Sequence, residues 1–196
     1  MTTNDIQHFF LRTYRVLNKE LYHGMLPLPD FLIVQSKIER KNEWGLIFGG
    51  TITIRITYDS LMKSIEQGTI LQELLHQMVH IYCYIYEIKD TTRQGRYHNE
   101  NFRKVAKDYG LIVQPDLKFG AIVTGCQEQV RELQQSQLPE FESDVQKVKK
   151  LIQDSDGQAH AYICPACKRK VTGDKDTKVI CGYCYMEMIA FREREA

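Results

Sequence analysis

Two histidines four residues apart, His76 and His80, sit inside the apolar run "ELLHQMVHIY". On a helix, positions i and i+4 share a face one turn apart, so both imidazoles can hold one metal ion. Imidazole suits Zn²⁺, and a site with three protein ligands keeps a fourth position for a small molecule. A third ligand must come from elsewhere. His8 lies on an N-terminal helix, His23 at its end and His160 near the C-terminal cysteines, which leaves His98, 18 positions after His80 in a loop entering the next helix. The competing reading is plain: a lone histidine on a buried helix is usually a hydrogen-bonded core residue. Two at this spacing with a third opening the next helix favour a metal.

In zinc peptidases built on His-Glu-x-x-His, the glutamate takes a proton from the attacking water and gives it to the leaving amine. Here that position is Gln77. Its amide is nearly isosteric and can hydrogen-bond a water, but it has no titratable carboxylate. Loss of a general base typically costs ~10²–10⁴ in rate.

A second metal constellation lies near the C-terminus. Cys164, Cys167, Cys181 and Cys184 are spaced C-x₂-C-x₁₃-C-x₂-C. Each pair can clamp one side of a tetrahedral zinc, with a β-hairpin joining the two knuckles. Four thiolates close such a site, so its zinc is structural and largely holds a small domain folded. Lys168, Arg169, Lys170, Lys175 and Lys178 cluster here, with Tyr183 and Tyr185 beside the second knuckle. Basic groups among aromatics are what single-strand nucleic-acid platforms use. Against that, Asp174, Asp176 and Glu187 dilute the charge, and a solvated hairpin would carry lysines anyway. Cys83 and Cys126 stand alone and read as small buried hydrophobes.

These groups need a frame. Of the 196 residues, 43% are hydrophobic and 26% charged, which fits a globular chain of one medium domain plus an appendage. No apolar run reaches the length of a membrane span, and the N-terminus has no secretory pattern, so the expected compartment is the cytoplasm, or the nucleoid if the chain binds DNA. In that compartment paired cysteines favour metal over disulfide. A net charge of +1 puts any nucleic-acid contact in a local patch.

Periodicity predicts helices over residues 4–23, capped by Asn4 or Asp5, then 58–68, 69–87 and 99–110. Thr69 and Gln72 suggest a capping box for the third. Strands are expected at 31–37, in "EWGLIFGG" and in "TITIRI", with a turn at Gly49-Gly50, and one or two extended segments over 111–125. Residues 89–99 read as a polar loop. From 127 the chain turns polar and reads as two helical pieces, a linker or outer layer.

In this order, "LLHQMVH" at Leu74–His80 followed by "HNENF" at His98–Phe102 resembles the SprT-like (Spartan-type) zinc metalloproteases, which include proteases that cleave DNA–protein crosslinks. The likeness covers roughly residues 5–125. It implies a zincin domain of helices packed on a small antiparallel sheet over 1–125; the shift in composition adds a helical linker over 126–159 and the cysteine spacing a Cys₄ zinc ribbon over 160–196, an α+β fold in all. It also implies two Zn²⁺ ions, His76, His80 and His98 as ligands of the catalytic one, Gln77 at the catalytic glutamate position, protein substrates, and contact with single- or double-stranded DNA. The departure at Gln77 means a chain expected to be inactive. Either Gln77 replaces a native glutamate, a substitution used to trap such sites, or the chain is a natural pseudo-protease that binds DNA or protein. A third reading is a zinc-ribbon transcription accessory factor whose histidine triad is structural.

Overall fold

The computed structural model describes residues 3–34, 44–93, 95–156, 160–173 and 179–191. Its chain divides into two compact units, 1–149 and 150–196.

The first unit opens with helix α1 (Thr3–Leu21), which buries Ile6, Phe9, Phe10, Thr13, Tyr14 and Leu17 at helical spacing. Asn4 and Asp5 lie inside its first turn rather than capping it. In the last turn of α1, buried Asn18 holds the segment that follows from both sides: its Nδ2 donates to the Leu26 carbonyl (2.8 Å) and its Oδ1 accepts from the Leu26 N–H (3.1 Å). Strands β1 (Asp30–Val34), β2 (Gly45–Phe48) and β3 (Ile52–Thr57) form a sheet in the order β1-β3-β2. The expected extension of β1 over residues 35–37 lies outside the described residues. The alternation in β3 works as expected, with Ile54 and Ile56 fully buried.

This sheet is mixed, which corrects the antiparallel expectation. β2 returns along one edge of β3 through the Gly49-Gly50 turn, and β1 takes the opposite edge, running parallel. Helix α2 (Tyr58–Gln67) is capped by the Thr57 hydroxyl, which accepts from the Ser60 N–H, and ends at left-handed Gly68.

Helix α3 (Ile70–Ile85) follows directly, with Leu74, Leu75, Met78, Val79 and Ile81 fully buried. A helix apolar on most sides belongs at the centre of its unit. The capping box at Thr69 does not form: the Thr69 N–H closes α2 on the Ser64 carbonyl (2.8 Å), and its side chain makes no cap hydrogen bond.

The polar loop after α3 is more ordered than its composition implied. It contains a two-residue antiparallel ladder, β4 (Thr91–Thr92) with β5 (Tyr97–His98). Helix α4 (Glu100–Asp108) then starts from Asn99, whose Oδ1 accepts from the N–H groups of Asn101 (2.9 Å) and Phe102 (3.2 Å). Residues 111–126 form one hairpin, β6 (Leu111–Asp116) and β7 (Gly120–Cys126). Helix α5 (Glu128–Gln137) and helix α6 (Phe141–Asp156) come next. Both carry apolar residues that are buried, and Phe141 packs its ring on Phe9 of α1 (centroids 5.4 Å apart).

The second unit contains an antiparallel sheet, β8 (His160–Ile163), β9 (Lys170–Gly173) and β10 (Ile189–Phe191), in the order β10-β8-β9. Among the described residues no helix is long and apolar enough to cross a membrane.

Candidate metal centres and cleft

Three histidines from two elements meet at one point. His76 and His80 project from the same face of α3, and β5 brings His98 to them. The Nε2 atoms are 3.0 Å (His76–His80), 3.2 Å (His76–His98) and 3.2 Å (His98–His80) apart. Ligand nitrogens about 2.0–2.1 Å from a tetrahedral zinc lie about 3.3–3.4 Å from one another, so this triangle is of the right size.

The other ring nitrogens fix the direction of the donors. His80 Nδ1 lies 2.5 Å from Asp90 Oδ2, and His98 Nδ1 lies 2.9 Å from the Ala121 carbonyl oxygen. A carbonyl only accepts, so His98 Nδ1 carries the hydrogen and its Nε2 presents a lone pair to the shared point. Burial pushes the pKa of His76 well below the ordinary value, helped by His80 and His98; burial and His80 lower His98 as well. Neutral imidazoles are the form that binds metal. Under the triad, the fully buried Phe102 ring stacks on His98 (4.0 Å between centroids, 17° between planes) and sits 5.2 and 5.1 Å from His76 and His80.

The triad lines a cleft of about 1140 Å³. Gln77 lines it too and is nearly buried at 6% exposure. Trp44 and Phe48 border the cleft from the β2 side, Tyr84 from α3 and Phe119 from the β6–β7 turn. Phe48 and Tyr84 stack on each other at 4.0 Å while remaining partly exposed.

The four cysteines also converge: all their sulfurs lie within 4.8 Å of one another. The two knuckles repeat one backbone pattern. Lys168 N–H bonds the Cys164 carbonyl and Cys164 N–H the Arg169 carbonyl; Tyr185 N–H bonds the Cys181 carbonyl and Cys181 N–H the Met186 carbonyl. Lys168 (φ 61°) and Tyr185 (φ 54°) both adopt the left-handed conformation that closes the turn.

Backbone N–H groups of Cys167 and Ala166 lower the Cys164 thiol, and those of Cys184 and Tyr183 lower Cys181 to about 6. Cys184 is pushed up to about 12, chiefly by Cys167. Four sulfurs this close cannot all ionise unless a cation sits among them, which is what a Cys₄ zinc site supplies. Both clusters therefore have the donors and spacing to coordinate Zn²⁺.

The basic residues divide. Lys168 folds back on its own knuckle, donating from Nζ to the Pro165 carbonyl (2.9 Å). Arg169 lies over the Tyr183 ring at 4.3 Å, and Tyr183 and Tyr185 are largely exposed. Lys170 begins β9 and is exposed. Lys175 and Lys178 lie outside the described residues.

Sequence reasoning missed Asp90, the Ala121 carbonyl and the aromatic cleft walls. Asp90 opens the short β4–β5 ladder, and its meeting with His80 depends on how that ladder closes. Comparison with known proteins finds no matching family model, no matching curated protein and no matching solved structure.

Proposed function

We propose that this chain is a zinc endopeptidase of SprT-like type whose general-base position is occupied by Gln77, leaving it inactive or nearly so. The observation that carries this reading is the convergence of three histidine Nε2 atoms on the wall of an open cleft, with Gln77 directly after the first of them. A closed structural site would have four protein donors; three donors facing a cleft leave a position for substrate or water. Among the described residues, the histidine cluster consists of these three alone.

Zinc bound there supplies Lewis-acid activation of water and of a peptide carbonyl. The chain's own residues do the rest. The histidines bind and orient, and the aromatic walls offer apolar contact to a peptide. Gln77 can hydrogen-bond a water but has no site to take up its proton. The proposed substrates are proteins, DNA-bound or DNA-crosslinked ones included, and the proposed compartment is the cytoplasm or nucleoid. The stacked Arg169–Tyr183 pair beside exposed Tyr185 supports contact with DNA, single strands above all, through base stacking and charge.

Gln77→Glu tests the reading. The two side chains have nearly the same size, so fold and zinc content should persist, while cleavage of a DNA-binding protein should rise by roughly 10² or more. The assay compares both proteins with and without single-stranded DNA. A folded Gln77→Glu protein with two zincs that cuts nothing would overturn the protease reading. The second reading, a natural pseudo-protease that binds DNA or protein, would then stand.

A further inference from the structure

The three histidines are not held alike. His98 has a neutral backbone carbonyl behind it, whereas His80 has a carboxylate, Asp90 Oδ2 at 2.5 Å from Nδ1. Both groups of this pair are mostly buried, their side chains 18% and 16% exposed, so water screens the contact weakly.

Asp90 is itself fixed by a network that reaches the third ligand. Its carbonyl oxygen accepts the Asn99 N–H (2.9 Å). The preceding Lys89 carbonyl accepts from both Asn99 Nδ2 (2.7 Å) and Asn101 Nδ2 (2.9 Å). Asn99 in turn caps α4 and directly follows His98, while Thr91, next to Asp90, pairs with His98 across the β4–β5 ladder. The segment that carries the carboxylate to His80 is therefore the same one that sets His98 in place.

We infer that Asp90 is the positioning residue of the histidine metal site: its carboxylate holds His80 with Nε2 facing the metal and places a negative charge one imidazole away from the cation. This rests on the zinc reading of the histidine cluster. A carboxylate behind a ligating histidine orients the ring, fixes the tautomer and strengthens the metal site, and removing such a partner typically costs roughly 10–100-fold in metal affinity. With glutamine at position 77, the carboxylates lining the cleft among the described residues are Glu87 and Asp90, and of these two Asp90 is the one hydrogen-bonded to a ligand of the triad.

The test uses the full chain, zinc alone as the ligand, and a chromophoric chelator as competitor at fixed neutral pH. The Cys₄ site serves as internal control. Asp90→Ala should weaken the histidine site roughly 10–100-fold and leave the cysteine site unchanged. Asp90→Asn keeps the size and an acceptor oxygen without the charge, and should fall between parent and Asp90→Ala. It also decides the matter should the alanine variant fail to fold.

A second readout separates positioning from mere packing. Long-range ¹H–¹⁵N correlation on the zinc-depleted chain should show His80 protonated at Nδ1 in the parent, and a mixture of tautomers in Asp90→Ala, which offers no acceptor there. Parent-like zinc affinity in either folded variant, or an unchanged His80 tautomer in Asp90→Ala, would overturn the role of Asp90 alone. A parent chain that binds one zinc, at the cysteines only, would overturn the zinc reading of the histidine cluster and this inference with it.

Discussion

Gly120 has no side chain, yet the position of His98 depends on it. A Cβ there would lie 2.0 Å from the His98 carbonyl oxygen and 2.7 Å from the Tyr97 ring, and the residue sits at φ +81°. The His98 N–H is bonded to the Phe119 carbonyl one residue earlier (2.9 Å), so β5 and β7 meet without space between them. Gly120→Ala should cost about 1–2 kcal/mol from the left-handed backbone alone, with the clash added. Because the clashing atom is backbone, the strain should pass to His98. The expected result is a lower Tm together with loss of the histidine-site zinc and retention of the cysteine-site zinc; an alanine variant with both zincs and parent stability would contradict it. Phe102 makes a companion case. Its fully buried ring floors the triad, and Phe102→Ala should cost about 3–5 kcal/mol. Phe102→Leu should keep the fold while loosening zinc at the histidines, read by denaturant unfolding and zinc competition. The ligands themselves were legible because i,i+4 spacing on a helix needs no tertiary information. Gly120 and Asp90 were not, since their roles come from contacts made 22 and 10 residues away.

Helices and strands with a clear period are legible in the sequence, whereas the contacts that close them on one another are not. The apolar period marked α1, α3 and α4, alternation marked β3, and Gly68 marked the end of α2. Thr69 does not cap through its hydroxyl: closing α2 with its N–H leaves its backbone at φ −106°, ψ 11°, outside the extended region a capping residue adopts. The β4–β5 ladder was hidden in polar residues, since two-residue strands leave no periodicity. The pairing of β1 with β3 is likewise not local: β1 lies on the edge of β3 that β2 leaves free, and runs parallel to it. The polar stretch after Cys126 concealed an ion-pair cluster between helices: Asp144 of α6 pairs with Arg12 of α1 and with Lys147 (2.9 Å). Burial alone would raise the Asp144 carboxyl, but the hydrogen bonds from Lys147 and Arg12 outweigh it and hold the pKa below its usual value. A depressed carboxylate stabilises the fold fully above its unfolded pKa of about 3.9 and loses that contribution as pH falls through the lower folded value. Arg12 and Lys147 are half exposed, so screening limits the effect. Asp144→Asn should cost about 1 kcal/mol near neutral pH. In urea titrations the gap between parent and variant should stay constant down to about pH 4 and narrow below it; a gap that widens in acid would refute the sign.

The two units differ in what holds them together, and this decides how each answers to metal removal. Unit 1 has an apolar core spread over α1, α3, α4 and the sheet, with Phe10, Tyr14, Leu74, Met78 and Phe102 fully buried. Among the described residues of unit 2 the core cluster consists of Tyr162, Cys164, Cys181 and Met188, with Cys167, Val179 and Cys184 packed against it. Four of those seven residues are the proposed zinc ligands, so the metal site and the core are one object there. Without zinc the sulfurs, which lie within 4.8 Å of one another, take up protons as thiols and lose the bonds that tie the two knuckles together. Three short strands with so little apolar burial cannot offset the chain entropy by themselves. We therefore expect two zincs per chain with unequal consequences. A Cys164→Ser/Cys181→Ser variant should contain one zinc, lose the amide dispersion of β8–β10, and keep the unfolding transition of residues 1–149 at the parent temperature. His76→Ala/His80→Ala should also contain one zinc, but keep both units folded, because the triad lies on the wall of a cleft rather than in the core. NMR spectra and elemental analysis of the two variants read this directly. A cysteine variant with an intact ribbon would mean that Tyr162, Met188 and the β-ladder suffice. A histidine variant that unfolds residues 1–149 would recast the triad as a structural site, the arrangement expected of an accessory factor rather than a peptidase.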